Sequence, residues 1–291
     1  MLKRKFGNTG LEVSVLGLGA AQIGNLKRTD KEAEEVLNFA LDNGINLIDT
    51  ARMYGASEDR IGKLISHRRD EFVLSTKVGY NIPGYEDWTY ECVEAGIDNA
   101  LKLLKTDRLD IVHFHSCSKE TLQNGIIDAL EKAVESGKVL IPAYSGENED
   151  LEFAISTGKF KSLQTSVNVF DQRGISKYLP KAKEQGMGTI GKRPLGNVPW
   201  RFSTEPTNEY CHQYWLRMQK MNLDLGMDWR ELTLRFAAFS EEVDTIISGT
   251  ANVEHLKENI EIVNKGKLPQ EIIAQIQKAF LENDINWVGQ I

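Results

Sequence analysis

The sequence contains little cysteine, and none of it is arranged to form a disulfide framework or a metal site. Cys92, Cys117 and Cys211 are the three cysteines among 291 residues, and no two have the Cys-x-x-Cys spacing typical of zinc and redox sites. An odd number of widely spaced cysteines is typical of reduced thiols. We therefore expect a cytoplasmic protein that folds without cross-links.

The sequence also lacks long apolar runs and an excess of positive charge. No run approaches the roughly 20 apolar residues that span a bilayer. Acidic residues outnumber basic ones by 42 to 35, which gives a net charge of −7. This balance disfavours nucleic acid and anionic membranes as partners, and it leaves the oligomeric state open. The ordinary content of 41% hydrophobic and 26% charged residues is typical of a globular protein.

Short apolar runs typical of β-strands alternate along the chain with amphipathic helical patterns. Such alternation predicts a parallel sheet, and eight repeats without a break in composition favour a closed barrel. We therefore expect an α/β fold, a (β/α)8 TIM barrel forming a single domain over residues 1–291, with an N-terminal β-hairpin over Leu2–Val15. The eight predicted barrel strands are Val15–Leu18, Asn46–Asp49, Phe72–Lys77, Asp110–His115, Val139–Ser145, Ser162–Asn168, Gly188–Lys192 and Thr245–Gly249.

The helical patterns begin and end at recognisable capping residues. Thr29 with Glu32 forms a capping-box pattern, and several helical patterns are followed by glycine. The stretch Leu195–Asp228 is longer than a plain connection, so we expect a large loop with its own helix at the catalytic face. Extra C-terminal helices and loops complete the barrel. The predicted helices are Thr29–Asn43, Ser57–Ile65, Thr89–Leu104, Thr121–Ser136, Leu151–Thr157, Ser176–Gln185, Asn208–Lys220, Trp229–Phe239, Val253–Asn264 and Pro269–Phe280.

Reactive residue types lie at the ends of three successive predicted strands. Asp49 ends the second strand, Tyr54 follows in the next loop, and Lys77 and His115 end the third and fourth. In a (β/α)8 barrel these positions meet at the C-terminal rim, where the active sites of such barrels lie. We therefore expect the four side chains to form one site.

These four residues have the chemistry needed to protonate a carbonyl oxygen during its reduction. Tyrosine is a weak acid at neutral pH, and a neighbouring ammonium group lowers the pKa of a phenol. Lys77 can supply that ammonium, Asp49 can hold it, and His115 can orient the carbonyl. The four residues thus fit the reversible reduction of an aldehyde or ketone by hydride, with Tyr54 as the general acid.

The segment Asn43–Glu58, NGINLIDTARMYGASE, resembles the signature of the aldo-keto reductases. The similarity continues through Ser75–Val78 and Leu109–His115 in the same order, and covers nearly the whole chain. It implies that Asp49, Tyr54, Lys77 and His115 are the catalytic residues of that family, and that hydride comes from C4 of a nicotinamide cofactor. The expected partner is a small carbonyl or alcohol substrate, and no metal is expected.

The resemblance also implies a cofactor site across the barrel mouth. It places Asp49, Ser145 and Gln164 near the nicotinamide, with Gly146 where the family has asparagine. Lys192 occupies a position where many members have an aromatic ring. Further cofactor contacts are expected from Arg193, Leu195 and Gly196 in the loop after the seventh strand, and from Gly249, Thr250, His255 and Asn259 at the adenosine end. Because NADP(H) is the usual cofactor of the family, the resemblance favours NADP(H), and the sequence is also compatible with NAD(H).

Two other functions are compatible with parts of the sequence. His113 and His115 lie two residues apart on one strand, so their side chains point to the same side, as in a metal-dependent TIM-barrel hydrolase. A catalytically silent binding subunit with the same fold is the second alternative. Such a subunit would be expected to lack one or more of the four catalytic residues of the family.

Overall fold

The computed structural model describes residues 1–290, and its central feature is a closed barrel of eight parallel strands. Each strand pairs with the next along the chain, and the last pairs with the first. The barrel strands are β3 (Leu16–Gly19), β4 (Leu47–Asp49), β5 (Val73–Val78), β6 (Leu109–His115), β7 (Val139–Ser145), β8 (Ser162–Ser166), β9 (Gly188–Lys192) and β10 (Thr245–Gly249). The predicted barrel is therefore confirmed.

Helices surround the barrel and bury their apolar sides against it. The helices are α1 (Asp30–Asp42), α2 (Ser57–Leu64), α3 (Tyr90–Leu104), α4 (Lys119–Thr121), α5 (Ile127–Glu135), α6 (Asn148–Ser156), α7 (Leu179–Glu184), α8 (His212–Met221), α9 (Trp229–Ala238), α10 (Val253–Asn264) and α11 (Gln270–Asn283). No helix within residues 1–290 is both long enough and apolar enough to cross a membrane.

The N-terminal hairpin closes the end of the barrel opposite the reactive rim. Its strands, β1 (Lys3–Lys5) and β2 (Glu12–Ser14), pair antiparallel as predicted. The fully buried ring of Phe6 packs against Gly188 at the start of β9. Together with residues from the barrel strands, Phe6 and Val13 form an apolar cluster that seals this end. Of the two ends of the barrel, the C-terminal rim is the one that remains open.

Local sequence signals explain most of the helix boundaries. Thr29 and Glu32 form the predicted reciprocal capping box at the start of α1. The prediction of one helix over Thr121–Ser136 was wrong, because Gly125 has a φ of +83° and interrupts the helical backbone before α5 begins. The helix predicted over Ser176–Gln185 becomes regular only at Leu179, after an irregular turn.

Candidate active site

A cavity of about 630 Å³ opens at the C-terminal rim of the barrel. It is lined by side chains from the strand ends and from the long loop that carries α8, as the sequence predicts for this loop. The predicted site residues that line it are Asp49, Tyr54, His115, Ser145, Gln164, Lys192, Arg193, Leu195 and Gly249. Most of the residues that the sequence singled out are therefore brought to one place.

Asp49 and Lys77 form a buried ion pair beneath the cavity. Both side chains are about 1% exposed, and Lys77 Nζ lies 2.5 Å from Asp49 Oδ2. Lys77 also donates to the carbonyl oxygen of Thr50 at 2.8 Å, while Ser75 Oγ donates to Asp49 Oδ1 at 2.7 Å. Burial by itself lowers the pKa of Lys77, but the Asp49 carboxylate and the Tyr54 hydroxyl raise it above its ordinary value. Lys77 is thus a fixed cation at neutral pH.

Tyr54 lies between this cation and His115. Lys77 Nζ is 5.0 Å from the centre of the Tyr54 ring, and the rings of Tyr54 and His115 meet edge to face with centres 6.0 Å apart. Burial lowers the pKa of His115 to about 2, and the positive charges of Lys77 and Lys192 add to this effect. The imidazole is therefore neutral at physiological pH, and it can donate only one ring N–H.

A chain of hydrogen bonds joins the next two strand ends to this cluster. Strand register places His115 beside Ser145, and Ser145 beside Gln164. Ser145 Oγ donates to Gln164 Oε1 at 3.0 Å, and Gln164 Nε2 donates to Asp49 Oδ1 at 3.1 Å. The next residue after Ser145 is Gly146, and a Cβ at this position would lie 2.5 Å from the ring of Tyr144. The aromatic ring therefore takes the space that an asparagine side chain would need.

Glu147 is a site residue that the sequence did not single out. This carboxylate is 5% exposed, and it accepts hydrogen bonds from Thr165 Oγ1 at 2.7 Å and from both the backbone N–H and the hydroxyl of Ser166. Lys192 Nζ lies 3.3 Å from Glu147 Oε1. Burial lowers the pKa of Lys192, and Glu147 opposes that shift. The lysine at the end of β9 is thus paired inside the protein rather than directed freely into the cavity.

The guanidinium of Arg193 faces the cavity but is already partly engaged. It donates to Ser166 Oγ at 3.2 Å, to the carbonyl oxygen of Gln290 in the C-terminal tail, and to the hydroxyl of Tyr210 in the long loop. Gly196 follows in the same loop and packs against Phe170 outside the cavity.

Three of the predicted adenosine-end residues lie beyond the cavity lining. Thr250 accepts the backbone N–H of Asn252, and the Asn252 side chain caps the backbone N–H groups of Glu254 and His255. The side chain of His255 is exposed. Asn259 is 3% exposed and donates to Ser248 Oγ at 3.2 Å, while its Oδ1 has no hydrogen-bond partner within residues 1–290.

The histidine pair of β6 does not form a metal site with other side chains. His113 is fully buried, and neither of its ring nitrogens has a partner among the described residues. Burial lowers its pKa to about 3. Within residues 1–290 no group of three or more histidine, cysteine, aspartate or glutamate side chains is arranged to hold a metal ion. The cysteines are buried and free.

Comparison with known proteins identifies the family. The model of the Aldo/keto reductase family matches residues 15–280. The chain is 27% identical to "Uncharacterized oxidoreductase YqkF" of Bacillus subtilis, over 95% of this chain and 96% of that protein. It is 25% identical to L-galactose dehydrogenase of Arabidopsis thaliana, over 99% and 97% of the two chains.

The same fold is found among solved structures. An aldo-keto reductase from Bacillus halodurans, solved in its holo form, superposes with a TM-score of 0.83 at 24% identity, covering 96% of each chain. Fold, family model and relatives agree: this chain belongs to the aldo/keto reductase family and is an oxidoreductase.

Proposed function

We propose that this protein reversibly reduces an aldehyde or ketone to an alcohol with a nicotinamide cofactor, and that Tyr54 is the general acid. The observation that carries the proposal is the buried ion pair of Lys77 with Asp49, whose cation lies 5.0 Å from the centre of the Tyr54 ring, while that ring also contacts His115. A buried cation next to a phenol favours loss of the phenolic proton.

The cavity suits a nicotinamide cofactor at several points. Ser145 and Gln164 present hydrogen-bonding groups at the reactive rim, where a carboxamide would be held. Arg193 can exchange its present partners for a pyrophosphate, because those partners are neutral whereas the anionic phosphate oxygens can pair with the guanidinium at two points. Beyond the cavity lining, next to the end of β10, Asn259 Oδ1 is buried and lacks a partner within residues 1–290, as expected of a group that awaits a polar ligand.

We further assign the remaining cofactor contacts residue by residue. Asp49 would stand at the nicotinamide end, and Lys192, Leu195 and Gly196 near the pyrophosphate. Gly249, Thr250 and His255 would meet the adenosine end, where His255 is the nearest candidate for contact with a 2′-phosphate. Because the family commonly uses NADP(H), this is the proposed cofactor, with NAD(H) as the alternative to be tested.

Each residue of the site has its own task in the proposed reaction. When bound, the cofactor supplies a hydride to the carbonyl carbon. Tyr54 donates its proton to the carbonyl oxygen as negative charge develops there, and the charge of Lys77 stabilises the phenolate that remains. Neutral His115 donates a ring N–H to the same oxygen and fixes its position. The Asp49 carboxylate keeps Lys77 charged and in place.

Tyr54→Phe tests the proposal, since it removes the proton donor and keeps the ring. We expect kcat for carbonyl reduction to fall by roughly 10²- to 10⁴-fold, while the Kd for NADPH stays unchanged. Oxidation of NADPH and of NADH would be followed against a panel of sugars, aromatic aldehydes and keto acids. Tyr178→Phe, on the outer side of the barrel, is the matched control. A Tyr54→Phe enzyme with full activity would show that another group is the acid, and wild-type inactivity across all substrates would favour a silent binding subunit.

A further inference from the structure

Tyr80 contacts the imidazole of His115 from the loop that follows β5. Its hydroxyl oxygen lies 2.6 Å from His115 Nδ1. The two rings also stack, with centres 5.6 Å apart and an angle of 21° between their planes. The other ring nitrogen, Nε2, has no protein partner within residues 1–290, and His115 lines the cavity. The contact therefore occupies one ring nitrogen of His115 and leaves Nε2 free to meet a substrate.

The direction of this hydrogen bond determines what His115 can do. A neutral imidazole carries one N–H donor and one acceptor nitrogen, and the partner of one nitrogen determines the state of the other. Tyr80 has no other hydrogen-bond acceptor among the described residues. If the hydroxyl donates to Nδ1, its hydrogen is satisfied and Nε2 carries the ring proton. If it accepted from Nδ1, its own hydrogen would lack a protein acceptor and Nε2 would be bare.

The protonation states of both groups fit the first arrangement. Burial raises the pKa of Tyr80 to about 12, so the hydroxyl keeps its hydrogen at neutral pH. Burial lowers the pKa of His115, and the positive charges of Lys77, Lys192 and Arg193 add to that shift, so the ring is neutral. With both groups in these states, a bond from the Tyr80 O–H to Nδ1 is the arrangement that gives the hydroxyl hydrogen a protein acceptor.

The loop around Tyr80 is built to hold this phenol still. The ring of Trp88 packs on Tyr80 with centres 5.2 Å apart, and it covers Gly79 so closely that a Cβ there would lie 2.1 Å from the indole. The backbone N–H of Trp88 donates to the Gly79 carbonyl oxygen at 2.6 Å, and the backbone N–H of Asn81 donates to Asp87 Oδ1 at 2.8 Å. Both ends of the loop are therefore tied together, with Tyr80 fixed between Trp88 and His115.

We propose that Tyr80 is a positioning residue that holds His115 with its Nε2–H directed into the cavity, ready to donate to the substrate carbonyl oxygen. This inference rests on the proposed function, because it assigns Tyr80 a role through His115. Without the Tyr80 hydroxyl, the ring populates both neutral forms, and only one of them can donate a hydrogen bond to the substrate.

Tyr80→Phe keeps the stacked ring and removes the hydrogen bond. We expect kcat/KM for carbonyl reduction to fall about tenfold, in line with the loss of one buried hydrogen bond, with no change in the Kd for NADPH. Nitrogen-15 NMR of the histidine rings in the full-length protein should show the Nε2–H form of His115 in the wild type and a mixture in Tyr80→Phe. Tyr90→Phe, on α3 outside the cavity, is the matched control and should change neither.

A double-mutant cycle with His115→Phe separates this inference from the proposed function, and the same variant identifies the His115 NMR signals. If Tyr80 acts through His115, adding Tyr80→Phe to His115→Phe causes no further loss of kcat/KM. Additive losses, full activity of Tyr80→Phe, or an Nδ1–H form in the wild type would overturn the role of Tyr80 alone. Full activity of His115→Phe would instead overturn the role of His115 in the proposed function, and this inference with it.

Discussion

The two ends of the proposed cofactor and substrate site are built in different ways. At the reaction end, formed by the ends of β4, β5 and β6, the charged groups Asp49 and Lys77 are about 1% exposed and bonded to each other. At the distal end, formed by the end of β10 and the first turn of α10, Thr250 and Asn252 bond mainly to local backbone, and His255 is exposed. The reaction end is preorganised, whereas the distal end is stabilised by its own caps.

In the proposed reaction the two ends have different tasks, so this difference matters. Proton transfer requires groups held in fixed positions and removed from water, where electrostatic interactions are strong. Recognition of a phosphate requires a cation or free N–H groups, but Asn252 already caps two N–H groups of α10 and no lysine or arginine lies between residues 249 and 256. We therefore expect single substitutions at the reaction end to change the reaction rate strongly, and single substitutions at the distal end to change cofactor preference only weakly.

Breaking the ion pair of the reaction end should have the largest effect. Lys77→Met leaves the Asp49 carboxylate buried without its cation, and loss of one partner of a buried pair costs about 3–5 kcal/mol. We expect the free energy of unfolding in urea to fall by about that amount, and reductase turnover to be lost.

Asp49→Asn in the same chain provides the control for Lys77→Met. The neutral amide removes the unpaired charge, so stability should recover in part while activity stays lost. Wild-type turnover in Lys77→Met would contradict the assignment of this cation to catalysis.

The two buried histidines of β6, near the reaction end, should make the stability of the fold depend on pH. Burial lowers the pKa values of His113 to about 3 and of His115 to about 2, whereas a histidine in the unfolded chain titrates near 6.5. Because the unfolded state then binds more protons, stability falls as the pH drops below about 6.5. Each histidine contributes about 1.4 kcal/mol per pH unit until its folded pKa is reached.

His113→Gln should remove one of these two contributions. We expect the slope of unfolding free energy against pH, measured by urea denaturation between about pH 6 and pH 4, to decrease by about 1.4 kcal/mol per pH unit. His255→Gln, at an exposed position outside the barrel, serves as the control for replacing a histidine. Equal slopes in wild type and His113→Gln would mean that His113 titrates normally in the fold.

A substitution at the distal end that alters cofactor preference should have the smallest effect. His255→Arg adds a fixed cation at an exposed position, where a charge pair is worth up to about 1 kcal/mol. The Kd for NADPH, measured by fluorescence titration, should fall by about threefold to fivefold relative to the Kd for NADH. The gain should shrink at high salt because exposed charges are screened. An equal gain for NADH would show that the 2′-phosphate is not bound near this residue.

Much of the architecture was predictable from the sequence. The bounds of β7, β9, β10 and α10 agree residue for residue with those expected from apolar runs and capping residues. The convergence of Asp49, Lys77 and His115 followed from topology alone, because parallel strands in a barrel end at one rim. The irregular turn before α5 was missed because a single glycine in a helical pattern is usually tolerated.

By itself, therefore, the sequence determined the strands, most of the helices and the set of reactive side chains at the rim, since these depend on residues close together in the chain. Tertiary structure alone decided that Tyr80 bonds to His115, that Glu147 pairs with Lys192, and that Tyr144 fills the space beside Gly146. The first two contacts join different β/α units, and all three depend on barrel register and loop conformation, which no local pattern in the sequence specifies.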